Sequence, residues 1–362
     1  MDRGNGGGEG ATAAARDQVL AEIRAGSGFC LVTHEHPDGD ALGSLVAMHR
    51  ILTALGKDSV MYMAADEFPL PYEYRFFDLA GLSTVPPTDL PSRTIIYLDC
   101  GNIDRNPLGI VKGDDVHILN VDHHHDNTRF GTVDLVDDGA ACTTEIVWDL
   151  MRRLGVEADQ EIAEALYVGL VTDTGRFMYE NTGPRAHRMA AELIEAGVDT
   201  HAIYRRLYED MPYAKLELLG RALGRVDRWD GGALTVARVT REDFEAVGAE
   251  DSYTEGIIDH LRSVEQTKVA ALSREVEFPA AAGAGADATA AGGGNGDSTG
   301  PRVRKKVSLR STDGEVDVSA IARAGGGGGH RQAAGFTTDL GDDELVAFLR
   351  EQIAAQLALS ST

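Results

Sequence analysis

The sequence predicts an α/β protein, with a parallel-sheet domain first and a smaller mixed α+β domain after it. Residues 28–200 alternate short apolar runs with segments of helical apolar spacing, which is typical of a parallel sheet with helices on both faces. From about residue 233 the order changes to the strands and helices of a smaller domain. The most reactive polar residues directly follow apolar runs, where open α/β sheets bind their ligands.

Each element follows from the spacing of apolar residues. In the first domain, buried strands are predicted at Phe29–Thr33, Val60–Met63, Thr94–Leu98 and Val116–Val121. Helices are predicted there at Ala41–Leu55, Thr143–Leu154, Gln160–Leu170 and Arg185–Ala196. In the second domain, strands are predicted at Ala233–Thr240, Lys268–Glu277 and Arg302–Ser311. Helices are predicted there over residues 254–265, 317–324 and 343–357.

Composition predicts the domain boundaries. Residues 1–17 are rich in Gly and Ala and have no apolar core, so we expect a disordered tail rather than a secretory signal. The first domain should cover residues 18–200, followed by a charged helical connector over 201–230 and the second domain over 231–358. The low-complexity stretch 280–300 is almost free of bulky residues, which predicts a disordered insertion between two strands.

The overall charge predicts the environment of the protein. Its 58 acidic residues outnumber 34 basic ones, for a net charge of −24, which favours a hydrated, self-repelling surface and a salt-adapted (halophilic) cytoplasm. Such a charge argues against a general nucleic-acid-coating protein. No apolar run is long enough for a membrane span, so we expect a cytoplasmic protein. Cys30, Cys100 and Cys142 lack metal-site spacing and are expected to be buried free thiols.

His34, Asp38 and Asp40 lie in the segment HEHPDGD, between a predicted strand and a predicted helix. Two carboxylates in a turn with Pro and Gly can converge on one ion, and imidazole with carboxylate suits Mn, Fe, Zn or Co rather than Ca. The alternative is a turn whose acidic residues cap the helix that begins near Ala41. Capping needs only one acidic residue, which favours the metal site. Whether His36 is a ligand stays open.

Three further candidates end other apolar runs. Asp99 ends the strand TIIYLDC, where a buried carboxylate is costly unless it caps the strand end, is paired or binds a metal. Asp122 precedes His123 and His124 and can orient one of them. Asp173 ends an apolar helical run, where acids are commonly structural, so its assignment depends on the other sites.

Together these positions supply enough ligands for two metal ions. The six candidate ligands are His34, Asp38, Asp40, Asp99, His123 and Asp173. A pair of ions can activate a water and clamp a phosphate, and one carboxylate would have to bridge the pair. The sequence therefore predicts a two-metal phosphoesterase.

Two features of the second domain predict anion binding. Gly325–Gly329 is followed by His330 and Arg331, and glycine backbones can converge N–H groups on an anion while the two side chains add charge. The alternative is a flexible linker. One face of the predicted strand 302–311 can seat a phosphodiester backbone, or it is an ordinary solvated edge. That face carries Arg302, Arg304, Lys306, Ser308 and Arg310.

These motifs resemble those of the DHH superfamily of phosphoesterases, named for the Asp-His-His signature found here at 122–124. HEHPDGDA, the strand end at Asp99, VDHHHDN and VTDTGRF are similar to its four acidic motifs in order. GGGGGHRQAAGF is similar to the glycine-rich segment of the DHH-associated C-terminal domain. The resemblance spans roughly residues 20–357 and is greatest to the bifunctional oligoribonuclease (nano-RNase) and pAp phosphatase branch.

The resemblance implies a hydrolase that uses two Mn²⁺ ions, with its active site in a cleft between the domains. It implies that His34, Asp38 and Asp99 hold one ion, and that Asp40, Asp99, His123 and Asp173 hold the other. His124 would face the scissile phosphate, with Asp122 beside it. The implied substrate-binding residues are Arg310, Gly326, Gly327, Gly328, Gly329, His330 and Arg331.

The implied substrates are very short oligoribonucleotides, cut to 5′-mononucleotides, and adenosine 3′,5′-bisphosphate (pAp), which would lose its 3′-phosphate. The alternative is an exopolyphosphatase, a pyrophosphatase or a cyclic-dinucleotide (c-di-AMP or pApA) phosphodiesterase with the same metal centre. A binding module without turnover is disfavoured because all six ligands are present. No membrane partner is expected, and a homodimer stays open. His36 and His125 replace residues that are often Asn and Pro in the family, and either change could alter metal preference.

Overall fold

The computed structural model describes residues 6–109, 116–278, 302–312, 314–329 and 331–360. The chain divides into two compact units, Met1–Asp210 and Met211–Thr362. Each unit has its own sheet and its own apolar core. The insertion expected over 280–300 lies outside the described residues.

The first unit is built on a parallel sheet, as predicted. Its strands are β1 (Gly28–Val32), β2 (Asp58–Tyr62), β3 (Leu82–Ser83), β4 (Thr94–Leu98), β5 (Ile118–Asp122) and β6 (Val133–Val136). Their order across the sheet is β3-β2-β1-β4-β5-β6, and every pairing is parallel. The edge strands β3 and β6 were not predicted, because runs of two and four residues are too short to show a period.

The α-helices of this unit pack on one face of the sheet. They are α1 (Gly6–Ala25), α2 (Gly39–Ala54), α3 (Thr143–Leu154), α4 (Gln160–Asp173), α5 (Pro184–Glu195) and α6 (Thr200–Tyr208). Their buried apolar residues join Phe29 and Leu31 of β1 in one core. The alternate residues of β1, Cys30 and Val32, join a second cluster that contains no residue of a described α-helix.

The expectation of helices on both faces is therefore wrong for the described residues. The second cluster is covered by connecting segments, including Leu90 and Ile103 of short 3₁₀ turns. The segment between β2 and β4 contains Pro69, Pro71 and further prolines, which interrupt an α-helix. Cys30, Cys100 and Cys142 are buried and unpaired, as predicted.

Helix α1 differs from the expected disordered tail over residues 1–17. The helix begins at Gly6, while residues 1–5 lie outside the described part of the chain. One side of α1 packs into the first core through Val19, Leu20 and Ile23. The alanine-rich stretch before them has high helix propensity, and that propensity was overlooked when composition alone indicated a tail.

The second unit carries a mixed sheet. Its strands are β7 (Asp227–Trp229), β8 (Leu234–Val239), β9 (Val269–Phe278), β10 (Arg302–Ser311), β11 (Gly328–Gly329) and β12 (Ala333–Thr338). Its helices are α7 (Tyr213–Leu223), α8 (Arg241–Val247), α9 (Ile257–Arg262), α10 (Val318–Ala324) and α11 (Asp342–Ser360). The strand order is β11-β12-β10-β9-β8-β7, in which β8 and β9 are parallel and the other pairings are antiparallel.

The stretch 201–230 is divided between the units rather than forming one connector. Helix α6 belongs to the first unit, α7 begins the second, and β7 already lies within this stretch. Among the described residues, we find no helix whose length and apolar character would let it cross a bilayer.

Candidate metal centre

The sheet of the first unit brings the predicted ligands to one edge. His34 lies just beyond β1, Asp99 directly follows β4, and Asp122 ends β5. These three strands are neighbours and run parallel, so their carboxyl ends meet at the same edge.

The predicted ligands form three overlapping groups. Within each group the donor atoms lie within 4.8 Å of one another. The groups are His34–Asp38–Asp99, Asp40–His123–Asp173 and Asp99–His123–His124. All six predicted ligands therefore meet at the sheet edge, and Asp99 belongs to two groups.

Asp99 lies between two histidines. Its Oδ2 is 3.7 Å from Nε2 of His34, and its Oδ1 is 3.6 Å from Nε2 of His123. Two donors that bind one ion at about 2.1 Å, with an angle of 90–120°, lie about 3.0–3.6 Å apart. The spacing is thus close to what an ion on each side of the carboxylate requires. The backbone of Asp99 has a left-handed φ of 58°, which Asp tolerates better than most residues.

His34 is buried, and its Nδ1 atom is already occupied. This nitrogen lies 2.8 Å from the carbonyl oxygen of Glu35 and 2.9 Å from Nη2 of Arg105. The carbonyl of Glu35 can only accept and the guanidinium of Arg105 can only donate, so the two contacts belong to different protonation states of Nδ1. In the tautomer whose Nδ1 donates to Glu35, the lone pair of Nε2 is left for a metal. The same Nε2 atom faces Asp99.

Asp38 caps a helix and is also part of a ligand group. Its Oδ1 accepts hydrogen bonds from the backbone N–H groups of Asp40 (3.0 Å) and Ala41 (3.1 Å) at the start of α2. Capping and metal binding, set against each other in the sequence analysis, are compatible here because a carboxylate has a second oxygen. The capping bonds also fix the direction of that oxygen.

His36 points away from these groups. Its side chain is 78% exposed, and Nδ1 lies 3.2 Å from Oε2 of Glu67. The backbone N–H of His36 donates to the other oxygen of Glu67 over 2.9 Å. His125 is also exposed, and neither histidine belongs to a ligand group among the described residues.

Asp40 is held by the first turn of α3. Its Oδ2 accepts the N–H of Thr143 (2.6 Å), and its Oδ1 accepts the N–H (2.9 Å) and the hydroxyl (2.8 Å) of Thr144. Thr143 also donates its hydroxyl to Oδ1 of Asp99 over 3.0 Å. Neither threonine was predicted, although the free amides of the predicted helix start at Thr143 were an available signal.

Asp173 and His123 complete the site. Oδ2 of Asp173 lies 3.7 Å from Nε2 of His123. Asn181 donates to the backbone oxygen of Asp173 (3.0 Å) and to that of Ala141 (2.8 Å), which ties the end of α4 to the segment before α3. Asn181 was not predicted either, because an amide eight residues beyond a ligand carries no recognisable pattern.

The electrostatics of the site fit a bound cation. Burial, and then the charges of Asp99 and Asp173, hold the pKa of Asp40 well above its usual range. Burial, and then Asp99 and Asp38, likewise raise the pKa of Asp173. Burial would also raise the pKa of Asp99, but the imidazoles of His34, His124 and His123 outweigh it and lower that pKa. Crowded buried carboxylates of this kind are stabilised in their charged form by divalent ions.

His124 is oriented by Asp122. The fully buried Asp122 accepts Nδ1 of His124 over 2.7 Å and the N–H of His123 over 2.9 Å through the same oxygen. Its other oxygen accepts Nδ2 of Asn127 over 2.5 Å, and Asn120 in turn donates to Asn127 over 3.0 Å. Burial opposes a charged His124, but the bond to Asp122 and the charge of Asp99 raise its pKa to about 10.

The glycine-rich segment Gly325–Gly329, predicted to bind an anion, is partly engaged in hydrogen bonds within the second unit. The N–H groups of Gly326 and Gly327 donate to the carbonyl oxygens of Arg323 (3.0 Å) and Ala322 (2.8 Å) at the end of α10. A helix end needs its last carbonyls satisfied, so these two amides are not the free anion donors that were expected. Gly328 and Gly329 pair with β12.

The cationic candidates lie beside this segment. Arg331 donates to the carbonyl oxygen of Gly314 (3.0 Å), and His330 lies outside the described residues. On β10, Val307 and Leu309 are buried in the core, which places Arg310 on the opposite face. Its Nη1 donates to the carbonyl oxygen of Leu309 over 3.1 Å.

Comparison with known proteins identifies the family. The family model described as "DHH family, N-terminal domain" matches residues 29–170 of the chain. These residues contain five of the six predicted ligands. The chain is 35% identical over 308 residues to the "bifunctional oligoribonuclease and PAP phosphatase NrnA" of Thermus thermophilus. That alignment covers 85% of this chain and 83% of the relative.

Solved structures share the fold. An exopolyphosphatase-related protein from Bacteroides fragilis superposes with a TM-score of 0.78 at 20% identity, covering 97% of this chain and 98% of that one. RecJ from Thermus thermophilus, crystallised with Mn²⁺, gives a TM-score of 0.52 at 16% identity and covers 96% of this chain and 54% of that one. The resemblance of the sequence motifs is confirmed: the chain belongs to the DHH family of phosphoesterases and is a hydrolase that acts on phosphoester bonds.

Proposed function

We propose that the chain is a two-metal phosphoesterase that hydrolyses short oligoribonucleotides to 5′-mononucleotides and removes the 3′-phosphate from pAp. The main support for two ions is the position of Asp99, whose two oxygens face two different histidines, His34 and His123. The substrate class is supported by the 35% identity to a bifunctional oligoribonuclease and PAP phosphatase over most of both chains.

We propose His34, Asp38 and Asp99 as the ligands of one ion, and Asp40, Asp99, His123 and Asp173 as those of the other. Mixed imidazole and carboxylate donors suit Mn²⁺, which we take as the physiological ion. When bound, the two ions supply the Lewis acidity that activates a water and neutralises charge on the phosphoryl group.

His124 would act on the phosphoryl group directly. Its Nδ1 is engaged by Asp122 over 2.7 Å, which leaves Nε2 as the atom that can donate to a substrate oxygen. Burial opposes the charged ring, but the bond to Asp122 raises the pKa of His124 and so favours the protonated form. Asp122 would therefore fix the direction of this donor and maintain its charge.

We propose that the first unit is catalytic and that the second binds the rest of the substrate. Arg310, Gly328, Gly329, His330 and Arg331 are the proposed substrate residues. Arg331 would exchange its bond to the carbonyl oxygen of Gly314 for a substrate phosphate, a stronger charge-assisted partner. Seating only a few nucleotides would limit the length of productive substrates.

A substrate panel with Mn²⁺ tests the proposal. It includes pAp, a diribonucleotide, a pentamer and a 24-mer RNA, with pyrophosphate, polyphosphate and cyclic di-AMP as comparisons. We expect kcat/KM for pAp, the diribonucleotide and the pentamer to be at least about tenfold above that for the other substrates. A higher value for polyphosphate or pyrophosphate, or equal rates on the diribonucleotide and the 24-mer, would contradict the proposed substrate class.

Two variants separate chemistry from binding in the same panel. Asp99→Asn should abolish hydrolysis of every substrate, because both proposed ion sites lose a ligand. Arg310→Gln should raise KM for the nucleotides but leave hydrolysis of bis-p-nitrophenyl phosphate, which has no distal nucleotide, nearly unchanged.

Repeating the wild-type assay in molar KCl tests the salt adaptation suggested by the net charge of −24.

A further inference from the structure

The first turn of α3 contacts both central carboxylates. Thr143 and Thr144 are fully buried. The hydroxyl of Thr143 donates to Oδ1 of Asp99 over 3.0 Å, while that of Thr144 donates to Oδ1 of Asp40 over 2.8 Å. Each hydroxyl therefore contacts a different proposed metal ligand, and that of Thr144 also lies 3.1 Å from Sγ of Cys142.

The Thr143 bond has a specific consequence for Asp99. The terminal torsion of an aspartate side chain is broad, so a carboxylate can turn about its own axis unless its surroundings prevent this. Turning would move Oδ2 away from His34 and Oδ1 away from His123, which now lie 3.7 and 3.6 Å from the respective histidine Nε2 atoms. A hydroxyl donor on Oδ1 opposes that rotation.

The donor also leaves Oδ1 able to bind a metal. An ionised carboxylate oxygen has two lone-pair positions, and a single hydroxyl occupies only one of them. Thr143 approaches Oδ1 from α3, whereas His123 approaches the same oxygen from the segment after β5. Nδ1 of His124, in the same segment as His123, also lies 3.7 Å from Oδ1. The hydroxyl and the two imidazoles thus reach Oδ1 from different elements.

We propose that Thr143 is a positioning residue that holds the Asp99 carboxylate in the orientation that bridges two ions. This inference rests on the two-metal centre of the proposed function. Without the hydroxyl the carboxylate could turn about its axis, so its two oxygens would no longer be held toward both ions at once. The ion that binds second would then be bound more weakly.

Thr144 provides a comparison within the same turn. When its hydroxyl is removed, Asp40 keeps the backbone N–H groups of Thr143 (2.6 Å) and Thr144 (2.9 Å). The orientation of Asp40 is therefore less dependent on a single side chain than that of Asp99. Thr144→Val should weaken Mn²⁺ binding less than Thr143→Val, although both changes replace a hydroxyl by a methyl group.

Calorimetric titration of the metal-free full chain with Mn²⁺, together with EPR after loading with two equivalents, tests the inference. Wild type should bind two ions and show an exchange-coupled spectrum. Thr143→Val should weaken the second site by about 10–100-fold, as loss of a hydrogen-bond donor to a metal ligand typically does, and show an uncoupled six-line signal. Thr143→Ser, which keeps the hydroxyl, should restore binding to within about threefold of wild type.

Thr235→Val is the matched control. Thr235 is also fully buried, and its hydroxyl bonds to that of Thr267 over 2.7 Å in the second unit. It should lower thermal stability without changing Mn²⁺ binding. If Thr143→Val does not fold, Thr143→Ala and Thr143→Ser form the replacement pair and must differ in the same way.

The outcomes separate the two claims. A Thr143→Val or Thr143→Ala protein that binds two coupled ions as wild type does would overturn the positioning role and leave the two-metal centre standing. A wild-type protein that binds fewer than two ions would overturn both. Equal losses in the serine and valine variants would show that keeping the hydroxyl does not preserve the second ion site, and would also overturn the inference.

Discussion

The Nδ1 atom of His124 lies 2.7 Å from Oδ1 of Asp122, a carboxylate with no exposed surface. The second oxygen of Asp122 is held by Asn127 over 2.5 Å, so the carboxylate itself cannot turn freely. A buried acid held in this way fixes both the ring orientation and the tautomer of its histidine. His124 therefore presents a defined atom, Nε2, on the side away from Asp122.

Replacing Asp122 by Asn should impair turnover more than metal binding. The amide keeps the shape of the side chain but loses the negative charge that orients and charges His124. We expect kcat on pAp to fall by about 10–100-fold, with KM and Mn²⁺ stoichiometry close to wild type. Steady-state kinetics and metal titration on the same preparation measure these quantities. Unchanged kcat would count against a role of His124 in the reaction.

Asp173→Asn should stabilise the metal-free protein while removing an ion site. Burial, Asp99 and Asp38 raise the pKa of Asp173 in the folded state above its unfolded value, about 3.9. The stability that this group contributes is fully present below pH 3.9 and is lost as pH rises through the folded pKa. Near neutral pH the variant should therefore gain about 0.5–2 kcal/mol in free energy of unfolding.

Urea denaturation in EDTA from about pH 4 to 8 measures this effect. The free energy of unfolding of Asp173→Asn should exceed that of wild type by an amount that grows with pH. Adding Mn²⁺ should reverse the ranking, since only wild type gains the full binding energy of two ions. A variant less stable than wild type in EDTA near neutral pH would show that Asp173 is a structural acid.

Gly169→Ala should weaken metal binding although alanine favours helices. A Cβ atom at position 169 in α4 would lie 2.4 Å from Cγ2 of Thr144 and 2.6 Å from Oδ1 of Asp40. The substitution must therefore displace both side chains, and we expect about a tenfold or greater loss of Mn²⁺ affinity. Gly220→Ala in α7 is the control, because its Cβ meets nothing within 4 Å.

The control should gain up to about 1 kcal/mol of stability from helix propensity and keep its metal affinity. Denaturation curves and calorimetry on the two variants separate the steric effect from the propensity effect. Wild-type Mn²⁺ affinity in Gly169→Ala would mean that the contact between α4 and Asp40 does not shape the site.

Asp243→Asn should change the acid stability of the second unit. Burial would raise the pKa of Asp243, but hydrogen bonds from the N–H and hydroxyl of Thr240 and from Arg225 lower it overall. The stabilisation is therefore present above the unfolded pKa of about 3.9 and lost as pH falls through the folded pKa. At neutral pH the variant should lose about 0.5–2 kcal/mol, as expected for a helix-capping acid.

Urea midpoints of wild type and Asp243→Asn should converge below about pH 3. Asp227→Asn is the control: its carboxylate is 48% exposed and pairs with Arg238 over 2.6 Å, and exposed pairs of this kind contribute little. A gap between wild type and Asp243→Asn that is the same at all pH values would contradict the role assigned to the charge.

The sequence was sufficient to bring the candidate ligands that follow buried strands to one edge of the sheet. Asp99 and His123 could be located because a titratable residue after an apolar run is costly without a partner. The regular spacing of β1, β4 and β5 then placed them at one edge of a parallel sheet. Short edge strands and helix α1 were missed, because two to four residues show no period and an alanine-rich terminus resembles a linker.

The residues that bond to the candidate site residues were not predicted. Thr143 and Asn181 bond to partners distant in the chain, Asp99 and Ala141, and Asn127 bonds to Asp122. The predicted helix start at Thr143 indicated free backbone amides, but no local pattern distinguishes these side chains from ordinary polar ones. The amides of Gly326 and Gly327 were assigned to an anion because a glycine run fits both an anion nest and a helix end, and only the structure separates the two.

Titration of the metal-free protein with Mn²⁺ during hydrolysis of a diribonucleotide tests the central claim most directly. Because Asp99 lies between two ligand groups, we predict little activity at the first equivalent of Mn²⁺ and a steep rise that saturates at two equivalents. Full activity at one equivalent, or equal activity in the Asp99→Asn protein, would contradict the two-metal account.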